Sequence, residues 1–556
     1  VLVTLVIAVL AGFALDLMPS SGPRATSLQR PALAVLPFDT AGDAVAAEWL
    51  GKGMAEDLHA GLAQQQGLLT SSISTSFRNS LETQTAQQIG HELNVQYLLR
   101  GLVVRSGDQL RVRAELIDTI TGLEVWDAAY SREADKVFSI QQDIVNGVLA
   151  QLDLPLVETA DLVPVSMVAY DSYLRGRNLL RSADTATAAA DAALWFRQAL
   201  ATDSRMPMAR NALCEAYVRE MQLGGEDGIY GRANSACAEA LLQSPDSSAA
   251  HLALADFYRV SKHPQEAVAE YEWVLRRQAD NPAAWYGLAQ AHAGLNQNAE
   301  AEDAYRRVLE IKPDWADAHA DFVALLISQG RYTEALELSR ILVRLDSERI
   351  EAYEYLATAL FMNGNFRAAI TASREVLRRD IARHSAIMQI AHSHYFLGNY
   401  TNAINIYTQA ARLMPDDYET HGGLGAAYLQ LDEPDSERQA MQAFARARYL
   451  AERRLLSEPG DVRTMTDLAY YCAALGDQLC AQRRLAEALE LAPDDFRTHY
   501  IAALVHASTG DLRSAGIAAQ RALALGYPEV LISTDPLLAS AWSDRRPVIP
   551  SLTAIF

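Results

Sequence analysis

The sequence predicts a mainly α-helical protein, a solenoid of about ten helical hairpins preceded by a small α/β domain. Three observations carry this. From Pro282 to Trp315, the residues Trp285, Leu288, Ala289, His292, Ala301, Tyr305, Val308 and Pro313 fall at positions 4, 7, 8, 11, 20, 24, 27 and 32 of a 34-residue unit. That spacing puts Trp285, Leu288 and His292 on one face of a first helix, and Ala301, Tyr305 and Val308 on one face of a second. The unit then recurs in register, through Phe322, Ala335 and Leu342, through Tyr353, Ala369 and Val376, and through Ile387, Ala403 and Pro415. Gly330, Gly364 and Gly398 mark the turn between its helices, where a left-handed cap favours glycine. Between residues 32 and 152 the pattern is different, with short apolar runs and alternation interleaved with helical periodicity.

The first fifteen residues, VLVTLVIAVLAGFAL, carry no charge. An intact spanning helix needs about 20 apolar residues. Residues 1–18 are therefore expected to be a truncated transmembrane anchor or a secretory signal. Either one places the chain at a bacterial inner membrane with its bulk in the periplasm, the alternative being a cytoplasmic protein. Residues 19–31 form a polar linker rich in Ser, Pro and Gly.

The α/β domain is expected over 32–155. Ala32 to Phe38 suits a buried strand, and residues 44–63 are helical through Trp49, Met54, Leu58 and Leu62. A second strand is expected over Leu68–Phe77 and a second helix over Thr85–Leu93. Three β-rich segments follow, with turns at Ser106-Gly107-Asp108 and Thr121-Gly122, before a closing helix from Asp135 to Leu152. The repeat array is expected over 165–529, with an insertion and a longer second helix in the unit that starts near Asp417. Residues 530–556 lack the pattern and are expected to cap the last apolar face.

Two resemblances rest on these residues. The 34-residue unit is that of the tetratricopeptide repeat, whose helix pair cannot bury its apolar face without neighbours. Val35-Leu36-Pro37-Phe38, Gly53, Asp57, Gly101, Asp118, Gly122 and Trp126, in that order over roughly residues 32–152, resemble the TolB-like amino-terminal domain. That family recurs in bacterial envelope and signalling proteins directly before tetratricopeptide arrays. The resemblance implies a membrane-tethered sensor or scaffold, with output modules of the winged-helix, nucleotidyl cyclase or kinase kind lying upstream of the membrane segment in such proteins.

A net charge of −21 argues against nucleic acid, which requires concentrated Lys and Arg. No phosphate-loop, dinucleotide, H-E-x-x-H or G-x-S-x-G motif occurs, so no catalytic residue, cofactor or metal is expected. An enzyme reading would need Asp39, Asp57 and Asp118 to gather in one pocket. Seven histidines, His251, His292, His319, His394, His421, His499 and His506, occupy position 4 or 11, where an imidazole stands in for an aromatic ring. Cys214 and Cys237 sit on facing helices of one hairpin, so a disulfide is geometrically open to them, while buried free thiols remain the other reading. Cys472 and Cys480 flank a turn, where pairing is less well defined.

The functional surface is then the concave face of the solenoid, with Tyr286, Gln290, Asp317, Asp321, Glu351, Tyr355, Met388, His392 and Tyr395 as partner-binding candidates. Their aromatic and polar mixture suits a peptide or protein partner. The expected function is a non-enzymatic scaffold or sensor. The alternative is the extracytoplasmic regulatory part of a larger cyclase, kinase or winged-helix regulator.

Overall fold

The computed structural model describes residues 30–41, 44–63, 65, 67–71, 76, 84–156 and 166–543. The chain divides into two compact units, residues up to Ala284 and residues from Trp285.

The first unit opens with a mixed sheet. Its strands are β1 (Ala32–Val35), β2 (Asp39–Ala41), β3 (Leu69–Thr70), β4 (Tyr97–Ser106), β5 (Gln109–Asp118) and β6 (Glu124–Glu133), in the order β3-β1-β4-β5-β6, with β2 also pairing to β4. Among the described residues, the helices α1 (Ala44–Ala63), α2 (Ala86–Leu93) and α3 (Val137–Gln151) accompany it. Leu50, Met54, Leu58 and Leu62 of α1 pack with Ile140, Ile144 and Val148 of α3 against Leu33, Val35, Leu99 and Val112 of the sheet. Ile89 of α2 joins Ala34, Leu36, Leu98 and Ile117 in a second cluster.

Two strand expectations change. The apolar run from Ala32 is a strand only as far as Val35, because Pro37 has no N–H to give the ladder, and a separate strand starts at Asp39. Val35 pairs with Leu99 and Asp39 with Leu102, so four steps on one side span three on β4. The strand expected over 68–77 is only Leu69–Thr70 among the described residues.

Three hairpins complete the first unit: α4 (Met167–Arg181) with α5 (Ala186–Thr202), α6 (Pro207–Gln222) with α7 (Ile229–Gln243), and α8 (Ser248–Val260) with α9 (Pro264–Arg277). Cys214 and Cys237 are bonded across α6 and α7, with Cα atoms 4.8 Å apart.

The second unit holds seven hairpins. They are α10 (Pro282–Gly294) with α11 (Asn298–Ile311), α12 (Ala316–Ser328) with α13 (Tyr332–Leu345), α14 (Ile350–Met362) with α15 (Phe366–Arg379), and α16 (His384–Phe396) with α17 (Tyr400–Leu413). After them come α18 (Tyr418–Tyr428) with α19 (Ser436–Ser457), α20 (Val462–Ala474) with α21 (Gln478–Leu491), and α22 (Phe496–Ser508) with α23 (Leu512–Ala524). Two short helices, α24 (Glu529–Thr534) and α25 (Ala539–Ser543), bury Leu531, Ile532, Leu538 and Trp542 at the end. Cys472 and Cys480 are bonded, with Cα atoms 5.8 Å apart.

Local chemistry sets the hairpin joints. Gly330, Gly364 and Gly398 have φ of +74°, +76° and +72°, and the residue after each donates back to the carbonyl five positions earlier, closing a Schellman cap. Joints between hairpins use histidine. Nε2 of His251, His319, His421 and His499 lies 2.9, 2.8, 3.0 and 2.8 Å from the carbonyl oxygen of Pro245, Pro313, Pro415 and Pro493 respectively. These rings do more than replace an aromatic: each ties a first helix to the proline turn that precedes it.

The expected inner-membrane location with a periplasmic bulk is overturned, because among the described residues no helix is long and apolar enough to cross a membrane. The two longest helices, α1 and α19, carry charges along their length, among them Lys52, Glu56 and Asp57 in one and Glu437, Arg446 and Glu452 in the other. The membrane partner falls with it. Residues 1–18, on which both expectations rested, lie outside the described residues, as do residues 19–29 of the linker and 544–556 of the cap.

Candidate concave binding site

The motif residues of the α/β domain are all engaged in packing. The Phe38 ring lies over Gly101, where a Cβ would come within 2.3 Å of its Cε2 and 2.4 Å of the Arg113 carbonyl oxygen. Gly53 lets α1 meet Leu174 of α4, since a Cβ there would stand 2.3 Å from a Leu174 methyl. One turn further along α1, Asp57 accepts from Tyr170 Oη and, at 3.0 Å, from Gln141 Nε2. Burial pushes the Asp57 carboxyl above its ordinary range, while these hydrogen bonds hold it down in part. Gly147 receives the Trp126 ring. Asp118 Oδ1 caps the turn at Ile120 and Thr121, 2.9 and 2.8 Å from their N–H groups, and that capping lowers its pKa. Asp57 and Asp118 therefore serve separate structural networks, and Asp39 lies on β2.

In the second unit the predicted partner-binding residues divide into two groups. Toward α10, Tyr286 Oη and Gln290 Nε2 both donate to Asp321 Oδ2 at 2.7 Å, and Tyr286 leans on Trp315 with ring centroids 4.7 Å apart. Asp317, exposed, pairs with Arg349 at 2.5 Å, and Glu351 is exposed beside the half-buried Tyr355. Burial, reinforced by Asp321, raises the Tyr286 and Tyr355 hydroxyls, so both remain neutral donors. Met388 is buried, its sulfur accepting from Thr420 Oγ1 at 3.2 Å, and so is not available to a partner.

His392 and Tyr395 line an open cleft of about 470 Å³. The array winds tightly enough for its last elements to return to its middle. Gly364, in the α14–α15 turn, faces Val530 of α24 so closely that a Cβ would lie 2.6 Å from Cγ2. Gly330, in the α12–α13 turn, faces the Gly526 carbonyl and Phe496. The cavity wall is aromatic, with Tyr395, Tyr470, Tyr500 and Tyr527 prominent. Two ion pairs also face it: Arg463 donates to Glu419 at 2.6 Å, and Arg497 grips both oxygens of Asp467 at 2.9 and 3.0 Å. Asp535, 2% exposed, accepts from Tyr500 Oη at 2.7 Å and from the Leu537 N–H at 2.9 Å.

Arg463, Tyr470, Arg497 and Tyr500 were not among the sequence candidates. They occupy positions 2, 9, 2 and 5 of the last two units, the same concave slots as the residues chosen from the central units, and extending the register would have found them. Asp535 lies beyond the repeats and carries no such signal.

Burial moves two cavity groups in opposite directions. It pushes the His392 imidazole down to about 4 from 6.5, and the Asp535 carboxyl up to about 6 from 3.8. His392 is neutral in the fold, so acidification from pH 6.5 to 4 favours the unfolded chain. The folded state holds the Asp535 proton more tightly, so acidification from pH 6 to 3.8 favours the fold. Each shift corresponds to about 3 kcal/mol, and the two oppose one another. Relative to the parent, D535N is expected to lose stability between pH 6.5 and 4 and H392F to gain it. Urea midpoints at the two pH values check this; parallel shifts in both variants would contradict it.

Sequence matches to known families fall on the repeats. The chain is similar to the tetratricopeptide repeat over residues 261–316 and 388–452, and to anaphase-promoting complex, cyclosome, subunit 3 over 328–410. Residues 32–152 lie outside these matches, so the TolB-like resemblance stands on its motif residues alone. A putative adenylate cyclase 3 of Rhizobium meliloti (strain 1021) is 28% identical over 156 residues, covering 27% of this chain. The chain spans about a quarter, 27%, of that curated relative. Among solved structures, YrrB, a TPR protein with an unusual peptide-binding site, is 18% identical, with 32% of this chain and 93% of that one covered and a TM-score of 0.31. The human IFIT1 dimer with PPP-AAAA is 15% identical, with 65% and 79% covered and a TM-score of 0.36. The helical part of this chain is a tetratricopeptide repeat array.

Proposed function

We propose that the repeat unit from Trp285 onward is a protein-interaction scaffold that holds a peptide or protein segment along its concave face. The observation that supports this most is the run of accessible hydrogen-bonding and acidic groups at Asp317, Glu351 and Tyr355, continuous along successive first helices. Side chains already tied together, such as Tyr286 and Gln290 on Asp321, are preorganised and lose little freedom on binding. A photocrosslinking residue placed at Tyr355, in cells, should capture a discrete protein, while the same residue at Arg340 on the second-helix surface should not. Equal capture at both positions, or none at Tyr355, would reject the concave face.

The 28% match to a putative adenylate cyclase favours a second reading, in which the chain is the regulatory part of a larger signalling protein and its α/β domain is TolB-like. The reading frame upstream of Val1 tests it: a cyclase region in frame supports it, and an unrelated one removes it.

We also propose that the Cys214–Cys237 bridge, in the first unit, acts as a staple of its own hairpin. Closing a loop with a sequence separation of 23 should contribute about 3 kcal/mol. C214A/C237A is expected to lower the urea midpoint accordingly and to abolish a non-reducing peptide-map crosslink; a full set of free thiols in the oxidised parent would refute the bridge.

A further inference from the structure

We infer that the aromatic-lined cleft of the second unit binds a compact organic cation, an ammonium or guanidinium group, seated against the Asp535 carboxylate beside the lining tyrosines. Four charged side chains besides Asp535 reach this cavity, and they neutralise one another pairwise, Glu419 with Arg463 and Asp467 with Arg497. Asp535 is left over. Among the described residues no lysine, arginine or histidine makes an ion pair with it, and its hydrogen bonds, from Tyr500 and the Leu537 and Leu538 N–H groups, bring no positive charge. His392 cannot supply one, since burial keeps its imidazole neutral. A carboxylate in that position is attractive to an incoming cation, because the low-dielectric surroundings strengthen the interaction.

The wall adds a second, independent feature. Tyr500 and Tyr527 stack with centroids 4.4 Å apart, and Tyr395 meets Phe396 edge-on at 5.5 Å. Aromatic side chains such as these, which line the cleft, are the usual recognition surface for ammonium and guanidinium groups. The volume of about 470 Å³ suits a small molecule or one long side chain rather than a folded segment. Of the lining side chains, Glu419 and Arg463 are 30% and 57% exposed, while Asp535 is 2% exposed.

The cation can be free or carried on a partner's lysine or arginine, and only in the second case does the inference rest on the interaction reading. Calorimetry on the full chain separates these. Choline and ethylguanidinium are expected to bind at least tenfold more tightly than their uncharged counterparts, dimethylbutanol and ethylurea. N-acetyl-lysine and N-acetyl-arginine methylamides, compared with the norleucine compound, test the side-chain source; preference for the amino-acid forms over the free cations assigns the site to a partner. D535N should weaken the cation at least tenfold. The parent at pH 5 should also bind about tenfold more weakly than at pH 7, a readout that needs no variant to fold. The tyrosines facing Asp535, at 395, 400, 470, 500 and 527, stay neutral across that range, and so does His392. Asp467, also raised by burial, is held by Arg497, and D467N serves as the comparison. Equal binding of the uncharged counterparts, or no binding of any cation at millimolar concentration, would overturn the inference. Retained capture at Tyr355 alongside that failure would leave the scaffold reading standing.

Discussion

Ala301→Trp is expected to destroy the cooperative unfolding of the central repeats, lowering stability by about 3 kcal/mol or more. Ala301 is fully buried on α11, in one cluster with Ala289, Ala304, Tyr305, Phe322 and Val323. Ala301 and Ala289, both 0% exposed, share this cluster, so an indole would have to displace its neighbours. Interiors packed at crystal-like density respond by separating the helices. In a solenoid each hairpin leans only on its neighbours, so the damage should reach α10 to α13 first and appear as an early phase in urea. Ala299→Trp, two residues away but exposed, should stay within about 0.5 kcal/mol of the parent. Urea melts followed by circular dichroism decide the matter: equal, small effects at both positions would show that the register of α11 is wrong.

Gly101→Ala is the second large effect expected, about 2–3 kcal/mol against the α/β domain. The added methyl would meet the Phe38 ring on one side and the Arg113 carbonyl oxygen on the other. The ring can tilt, but the carbonyl belongs to β5 in a ladder where Gly101 pairs with Ala114, and it cannot withdraw without breaking that ladder. Gly107→Ala provides the contrast. That glycine sits at the β4–β5 hairpin tip with φ of +61° and nothing within 4 Å of a Cβ, so only left-handed strain of about 1 kcal/mol applies. Should both substitutions cost the same, the close approach of Phe38 to the sheet is not what selects glycine at position 101.

These cases show how far local pattern reaches. The register that places Ala301 in a helix crossing, and the glycines at 330, 364 and 398, are legible because a 3.6-residue period and a left-handed turn each impose a residue type at a fixed step. The same holds for the α/β domain, where Gly107 and Gly122 mark turns and alternating residues mark β5. The proline between β1 and β2 is equally visible, and its missing N–H explains why the strand from Ala32 stops before the end of the apolar run. Gly53, Gly101 and Asp57 stood out as motif residues, yet their role as contacts to Leu174, Phe38 and Tyr170 depends on which elements meet.

By itself the sequence determined that this chain is a helical-hairpin solenoid behind a small α/β region, and the 34-residue register of its central repeats. Those properties follow from interactions between residues a few positions apart. Only the tertiary structure decided that the candidate residues divide, with Asp317, Glu351 and Tyr355 accessible and His392 and Tyr395 lining a cleft. That cleft depends on the small rotation between successive hairpins, summed until Val530 meets Gly364 and Asp535 reaches Tyr500. No single repeat encodes that sum, so a carboxylate beyond the last repeat came to lie among tyrosines far from it in the chain.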